Sequence, residues 1–211
     1  MRLAWSGFAM LALACHAPAS RAQANPPEPI GELPPVGYGT LNQDDVSLRL
    51  TGDEIEVRFL PLDERVLRLL GNDAYSSLHQ LVASKKTAID SVSRAAGISN
   101  PGLVLITFFG LRQDARFDPQ DVSVTVRNRL YRPLGIVPYT ANFTAHQLAV
   151  RQQATAIYIF EEAIAVYEPI TLSYAGATTD GWKDVLQVIE RERARVAGRA
   201  RREGNDTTKK P

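Results

Sequence analysis

Residues 103–109 constrain the fold of this chain most strongly, because six of these seven residues are apolar and only Thr107 is polar. An apolar run of this length, placed directly after the turn residues Pro101 and Gly102, predicts a β-strand that is covered on both faces. We expect this strand to lie inside a sheet. An opposing sheet would cover one face, and the helix predicted just before the strand would cover the other.

Apolar and polar residues alternate over two further segments, 46–51 and 55–59, which are separated by Gly52 and Asp53. This pattern predicts an antiparallel hairpin with one buried face and one wet face. Four more strands are predicted over residues 122–126, 129–138, 155–160 and 170–174. Because Pro133 lacks a backbone N–H group, the segment that contains it is expected at the edge of a sheet.

Helical spacing of apolar residues predicts two helices within residues 63–97. In the longer of these helices, Lys85 and Lys86 break the apolar stripe and predict a bend or an interruption. An amphipathic helix is predicted over residues 177–203, and a disordered tail over residues 204–211.

Together these elements predict a mainly β (α+β) fold. We expect an immunoglobulin-like antiparallel β-sandwich over residues 46–176, with a helical insertion at 63–97 and a C-terminal helix. The chain contains a single cysteine, so it lacks the Cys–Trp–Cys arrangement of true immunoglobulin domains. The predicted likeness therefore concerns architecture and not family membership.

The first 24 residues have the layout of a secretory signal peptide. Arg2 provides the positive start, residues 3–14 are mostly apolar, and the small residues Ala22 and Ala24 flank Gln23. We expect cleavage after Ala24 and a periplasmic or secreted location.

An alternative prediction uses Cys15 as the site of lipid attachment. Residues 11–15, with the sequence Leu-Ala-Leu-Ala-Cys, resemble a bacterial lipobox, although Ala12 replaces the more usual leucine. In that case the protein would be a membrane-anchored lipoprotein, and the Pro-rich segment 25–45 would form a linker or loosely docked arm. Contact with a membrane is expected only if Cys15 is lipidated.

Charge and cysteine content exclude several classes of partner and site. Cleavage after Ala24 would leave 187 of the 211 residues, with 22 Lys and Arg against 23 Asp and Glu. A nearly neutral chain has no global field to recruit nucleic acid. No cysteine remains after Cys15, which excludes disulfides, thiol catalysis and cysteine-ligated zinc from the mature protein.

No motif for catalysis, phosphate binding or cofactor binding occurs in the sequence, and we predict no catalytic residue, no cofactor and no metal site. After residue 24 the chain has two histidines, His79 and His146, and neither has a ligand partner at helical spacing. Asp114, Asp118 and Asp121 could surround a cation, but they lack the spacing of a calcium loop.

The leading hypothesis is therefore an exported, non-catalytic binding or assembly module that recognises a protein or another envelope component. Tyr131 and Tyr139 are the candidate partner residues, because this Pro-rich segment offers rigid aromatic contact area. One alternative is an extracytoplasmic hydrolase whose site is assembled from the dispersed residues Glu161, Asp118 and His146. A second alternative is a chaperone-like subunit that exchanges a strand at the edge formed by residues 129–138.

Overall fold

The computed structural model describes residues 33–207, which form a mostly β structure with antiparallel sheets and three helices. The strands are β1 (Leu48–Thr51), β2 (Ile55–Pro61), β3 (Gly102–Gly110), β4 (Ala115–Arg116), β5 (Ser123–Val126), β6 (Arg129–Tyr131), β7 (Gly135–Pro138), β8 (Gln147–Leu148), β9 (Gln153–Phe160), β10 (Ile170–Tyr174) and β11 (Ala177–Thr179). The helices are α1 (Glu64–Leu67), α2 (Asn72–Ala95) and α3 (Trp182–Thr207). Cys15 and Ala24, with the predicted leader, lie outside the described residues.

β3 is the middle strand of a five-stranded antiparallel sheet with the order β1-β2-β3-β9-β7. β1 and β2 form the hairpin predicted around Gly52 and Asp53, and Leu48 pairs with Phe59. Alternate residues of β3 point to the two faces of the sheet. Val104, Ile106 and Phe108 are fully buried on the inner face, as expected for a central strand.

The segment predicted as one strand over residues 129–138 is divided between two sheets. β6 is the outer strand of a four-stranded sheet with the order β11-β10-β5-β6, whereas β7 is the outer strand of the five-stranded sheet. The break falls at Arg132 and Pro133, since proline cannot donate a hydrogen bond to a ladder. The predicted edge position of residues 129–138 is confirmed, but this segment forms two short strands instead of one long strand.

Aromatic side chains connect the two larger sheets. The ring of Phe108 in β3 lies 5.5 Å from that of Tyr174 in β10 and stacks on Phe117 at 4.5 Å. Trp182, at the start of α3, is fully buried; it packs edge-on against Phe59, and its indole nitrogen donates to the carbonyl of Val166 at 3.0 Å. Both inner sheet faces therefore share one apolar core.

α2 runs without a break from Asn72 to Ala95, so the predicted interruption at Lys85 and Lys86 is absent. Lys86 is exposed, and its ammonium lies 2.8 Å from the carboxylate of Asp90 one helical turn later. A Lys–Asp pair at this spacing supports a helix from its solvent side. The two lysines therefore interrupt the apolar stripe without interrupting the helix.

α2 lies mainly over β7 and β9, and not over β3 as expected. Gly135 in β7 permits this close packing, because a Cβ atom there would lie 2.3 Å from Cγ1 of Val92 in α2. As a result, α2 covers only part of the outer face of the five-stranded sheet.

The described part of the Pro-rich arm docks on the domain through backbone and side-chain contacts. Leu41 donates from its N–H to the carbonyl of Leu69 at 3.1 Å, and Gly71 donates to the carbonyl of Leu41 at 2.9 Å. Gly39 lies so close to Leu69 that a Cβ atom would be 2.3 Å from its carbonyl carbon. Residues 39–41 are thus held in place on the domain.

Glu192 in α3 joins this arm to the C-terminal helix. Its side chain is 1% exposed and accepts hydrogen bonds from the N–H and hydroxyl groups of Thr40 at 3.1 and 2.9 Å and from Arg199 at 2.8 Å. Arg199 also donates to the carbonyl of Tyr38. Burial raises the pKa of Glu192, but the hydrogen bonds from Arg199 and Thr40 outweigh burial, so the pKa is lowered overall.

None of the helices in the described part of the chain has the length and apolar character needed to span a membrane.

Candidate functional site

The two predicted partner residues lie in different sheets and in different environments. Tyr131 belongs to β6 and is buried, with its hydroxyl 2.9 Å from Oε1 of Glu162. Burial, followed by the hydrogen bond to Glu162, raises the pKa of Tyr131. Tyr139 follows β7 and is 45% exposed, with Lys85 Nζ 5.8 Å from the centre of its ring. Of the two, Tyr139 alone presents its ring to solvent.

Arg129 links the edge strand β6 to the end of β9. Its guanidinium lies 2.5 Å from the carboxylate of Glu161 and 2.6 Å from that of Glu162, and it covers the ring of Tyr131. These ion pairs are about half exposed, and pairs of this kind contribute only about 0–1 kcal/mol each. Their role is to fix the position of β6 and not to supply most of the stability.

Two large apolar side chains are exposed in β6 and in the connection to β7. Leu130 and Leu134 are 52% and 51% exposed, and no other large apolar side chain in residues 33–203 is more exposed than these. They are four residues apart, so their Cα atoms can be separated by at most about 14 Å. We call Leu130 and Leu134 the edge patch.

A groove of about 220 Å³ opens on the outer face of the five-stranded sheet, where α2 leaves the sheet uncovered. Polar and apolar residues from several segments line this groove: Gln43, Ser47, Arg58, Leu60, Leu81, Leu105, Thr107, Phe109, Tyr139, Thr140, Gln153 and Thr155. We call it the outer groove.

A row of polar side chains crosses the floor of the outer groove. Arg58 in β2 pairs in register with Thr107 in β3, which pairs with Thr155 in β9. The hydroxyls of Thr107 and Thr155 are 3.1 Å apart and buried. The hydroxyl of Thr140 accepts the N–H of Thr155 at 2.9 Å, which places a third hydroxyl at the same end.

Arg58 is held at one end of this row. One of its terminal nitrogens donates to Asp44 at 2.7 Å, and its guanidinium lies over the ring of Phe109. Its Nε atom is buried and has no hydrogen-bond partner among the described residues. A buried donor without an acceptor costs about 1–3 kcal/mol.

No known protein family, curated protein or solved structure matches this chain.

A second cavity of about 450 Å³ lies between two turns, one after β1 and the other between β10 and β11. Asp53, Glu54 and Arg116 supply its charged groups, and Tyr174 forms part of its apolar wall. No contact within the described chain links those charged groups in a way that would organise a reaction.

Two of the dispersed catalytic candidates, Asp118 and His146, come near each other, because the N–H of Phe117 donates to the carbonyl of His146 at 3.1 Å, but their side chains have other partners. Asp118 accepts the N–H of Gln120 and caps a short 3-10 helix. The ring of His146 packs on Phe117, while Glu161 pairs with Arg129. Among the residues described, no hydrogen bond or ion pair joins the side chains of Glu161, Asp118 and His146.

The structure does form a titratable cluster that the sequence did not predict. Glu64 lies 2.7 Å from Nε2 of His79 and 2.7 Å from Arg68, and Tyr75 donates to it at 3.4 Å. Glu64 belongs to α1 and His79 to α2, so a search for ligands or partners within one helix misses the pair. Among the described residues, no serine or threonine hydroxyl is hydrogen-bonded to this cluster.

Asp114, Asp118 and Asp121 do not converge on a cation site. Asp114 accepts a hydrogen bond from Gln147, and Asp118 acts as the helix cap described above. Over residues 33–207, no group of three or more His, Cys, Asp or Glu residues could hold a metal ion.

Proposed function

We propose that this chain is an exported, non-catalytic binding or assembly module of the cell envelope and that its partner is a protein. The proposal places the mature protein in the periplasm or outside the cell, with lipid attachment at Cys15 as the alternative. We further propose that the two larger sheets form an immunoglobulin-like sandwich, for which the shared core around Phe108 and Tyr174 is the support.

One observation carries the proposed function: residues 129–138 supply an outer strand to both larger sheets, and the exposed leucines of the edge patch lie on this same segment. Outer strands offer backbone groups for pairing, and exposed apolar side chains offer area that a partner can bury. Pro133 and Pro138 limit the length of strand that can be added, which favours recognition by side chains over extended pairing.

The hydrolase alternative would need two acid–base groups in one cleft. In the described part of the chain no hydrogen bond or ion pair joins the side chains of Glu161, Asp118 and His146, so this alternative lacks a paired acid and base. The strand-exchange alternative uses the same outer strands as our proposal and differs only in how the partner is held.

The experiment compares two double variants in partner capture from envelope extracts. Leu130→Asp with Leu134→Asp alters the edge patch, while Val36→Asp with Val150→Asp alters two other side chains of similar exposure, 45% and 48%. We expect the first variant to lose the captured protein and the control variant to keep it, with unchanged thermal melting for both. Equal capture by both variants would exclude the edge patch as the partner surface.

A further inference from the structure

The outer groove carries a second inference, independent of the edge-patch proposal. From its lining we propose that it binds a neutral saccharide ring, either free or as one unit of a glycan.

The polar row on the groove floor is unusual for its position in the sheet. The preceding row on the same face, formed by Leu60, Leu105 and Ile157, is apolar. The next row, with Arg58, Thr107 and Thr155, lies where the sheet is open to the groove. Hydroxyl groups here can both donate and accept, and a mutual bond between the two threonines still leaves capacity for a ligand.

Most of the polar groups that line the groove are uncharged. Arg58 is the single charged residue among the described residues that line it; it pairs with Asp44 at 2.7 Å, and Asp44 also pairs with Arg49 at 2.9 Å. The remaining polar groups are hydroxyls and the side-chain amides of Gln43 and Gln153. A set of neutral donors and acceptors matches the hydroxyls of a sugar better than it matches an anion.

Arg58 lines the groove, although its Nε atom is fully buried and cannot itself reach a ligand. Because Asp44 holds the terminal nitrogen, the guanidinium is fixed in place before a ligand arrives.

Aromatic rings and volume narrow the ligand further. Tyr139, whose ring is 45% exposed, provides an apolar face against which the C–H surface of a sugar ring can pack while its hydroxyls bond to the rim, and Phe109, covered by Arg58, lines the groove beside it. Sites for drug-sized ligands measure about 300–1,000 Å³, so a groove of about 220 Å³ suits a single small ring.

Saturation-transfer NMR on the full chain tests this inference, with glucose, galactose and N-acetylglucosamine as probes and glucuronic and galacturonic acids as charged comparators. The test variant combines Thr107→Val with Thr155→Val, which keeps the shape of both side chains and removes both hydroxyls. The matched control combines Thr125→Val with Thr171→Val, a cross-strand threonine pair in the other sheet.

We expect at least one neutral sugar to bind the unmodified protein and the control variant, and to bind the test variant about tenfold more weakly. Gln153→Ala, at the exposed rim, provides a second variant whose folding does not depend on the buried threonines; it should also weaken binding. The inference is overturned if no neutral sugar binds, if the test and control variants bind equally, or if the uronic acids bind more tightly than the neutral sugars.

Discussion

Removal of the Glu192 carboxylate should release the N-terminal arm from α3. In Glu192→Ala, Thr40 and Arg199 lose three hydrogen bonds to one buried acceptor. Breaking a fully buried ion pair costs about 3–5 kcal/mol, but here Arg199 is 36% exposed and Thr40 is exposed, so water replaces part of the loss. We therefore expect the free energy of unfolding to fall by about 2 kcal/mol.

Glu192→Gln is the matched variant, because it keeps an acceptor for Thr40 and removes only the charge that faces Arg199 at 2.8 Å and Arg195 at 3.7 Å. Its cost should be smaller, about 1 kcal/mol at neutral pH. Because the pKa of Glu192 is lowered in the folded protein, the difference in free energy of unfolding between this variant and the unmodified protein should depend on pH. The contribution of the carboxylate is complete above its unfolded pKa, about 4.3, and is lost as the pH falls through the lower folded value.

Urea denaturation at several pH values measures both effects. After cleavage of the predicted leader, which contains Trp5, Trp182 is the single tryptophan and reports unfolding by its fluorescence. Hydrogen exchange at Leu41 and Gly71, whose N–H groups hold the arm, should accelerate in Glu192→Ala well before the core amides do. Unchanged hydrogen exchange at these amides in Glu192→Ala would refute the reasoning. So would a difference in free energy of unfolding between Glu192→Gln and the unmodified protein that grows below pH 4.

Two further substitutions test the packing of the five-stranded sheet by the same denaturation assay. Gly135→Ala should destabilise the protein by about 1–3 kcal/mol, because the new methyl group meets Val92. Adding Val92→Ala should recover part of this loss. If the effects of the two substitutions on the free energy of unfolding were purely additive, the close contact would be contradicted. Tyr158→Phe should lower the free energy of unfolding by about 1–2 kcal/mol, because the buried hydroxyl of Tyr158 donates to the carbonyl of Pro119 at 2.9 Å. An unchanged free energy of unfolding would show that this bond contributes nothing.

The sequence predicted those strands that are long or regular. β2, β3, β9 and β10 carry five to nine residues with clear apolar patterns, and their pairing buries those patterns. β4, β8 and β11 have only two or three residues, too few for a period of two to be recognised.

The structure differs from the prediction in two features of α2, its continuity and its position on the sheet. The interruption expected in α2 was inferred from Lys85 and Lys86, but a helix needs only one apolar face and tolerates lysines on the other. The position of α2 over β7 depends on the contact between Gly135 and Val92, which are 43 positions apart in the sequence. No local pattern encodes such a contact.

The candidate sites were partly predictable. Tyr131 and Tyr139 were predicted as partner residues, and of the two only Tyr139 is exposed, beside the outer groove. The polar row was missed, although Thr107 and Thr155 each stand as a polar residue in or next to an apolar run. A buried threonine in a central strand was the available signal, and only the register showed that two of them are paired.

The division of residues 129–138 between the sheets has a mechanical consequence. Only three residues, Arg132 to Leu134, separate β6 from β7, so the two layers are covalently tethered along that side. At the other side β1 and β11 are the outer strands, and they meet through side-chain packing. Because this link is shorter than the connections from β3 to β5 and from β9 to β10, we expect transient separation of the layers to begin at β1 and β11.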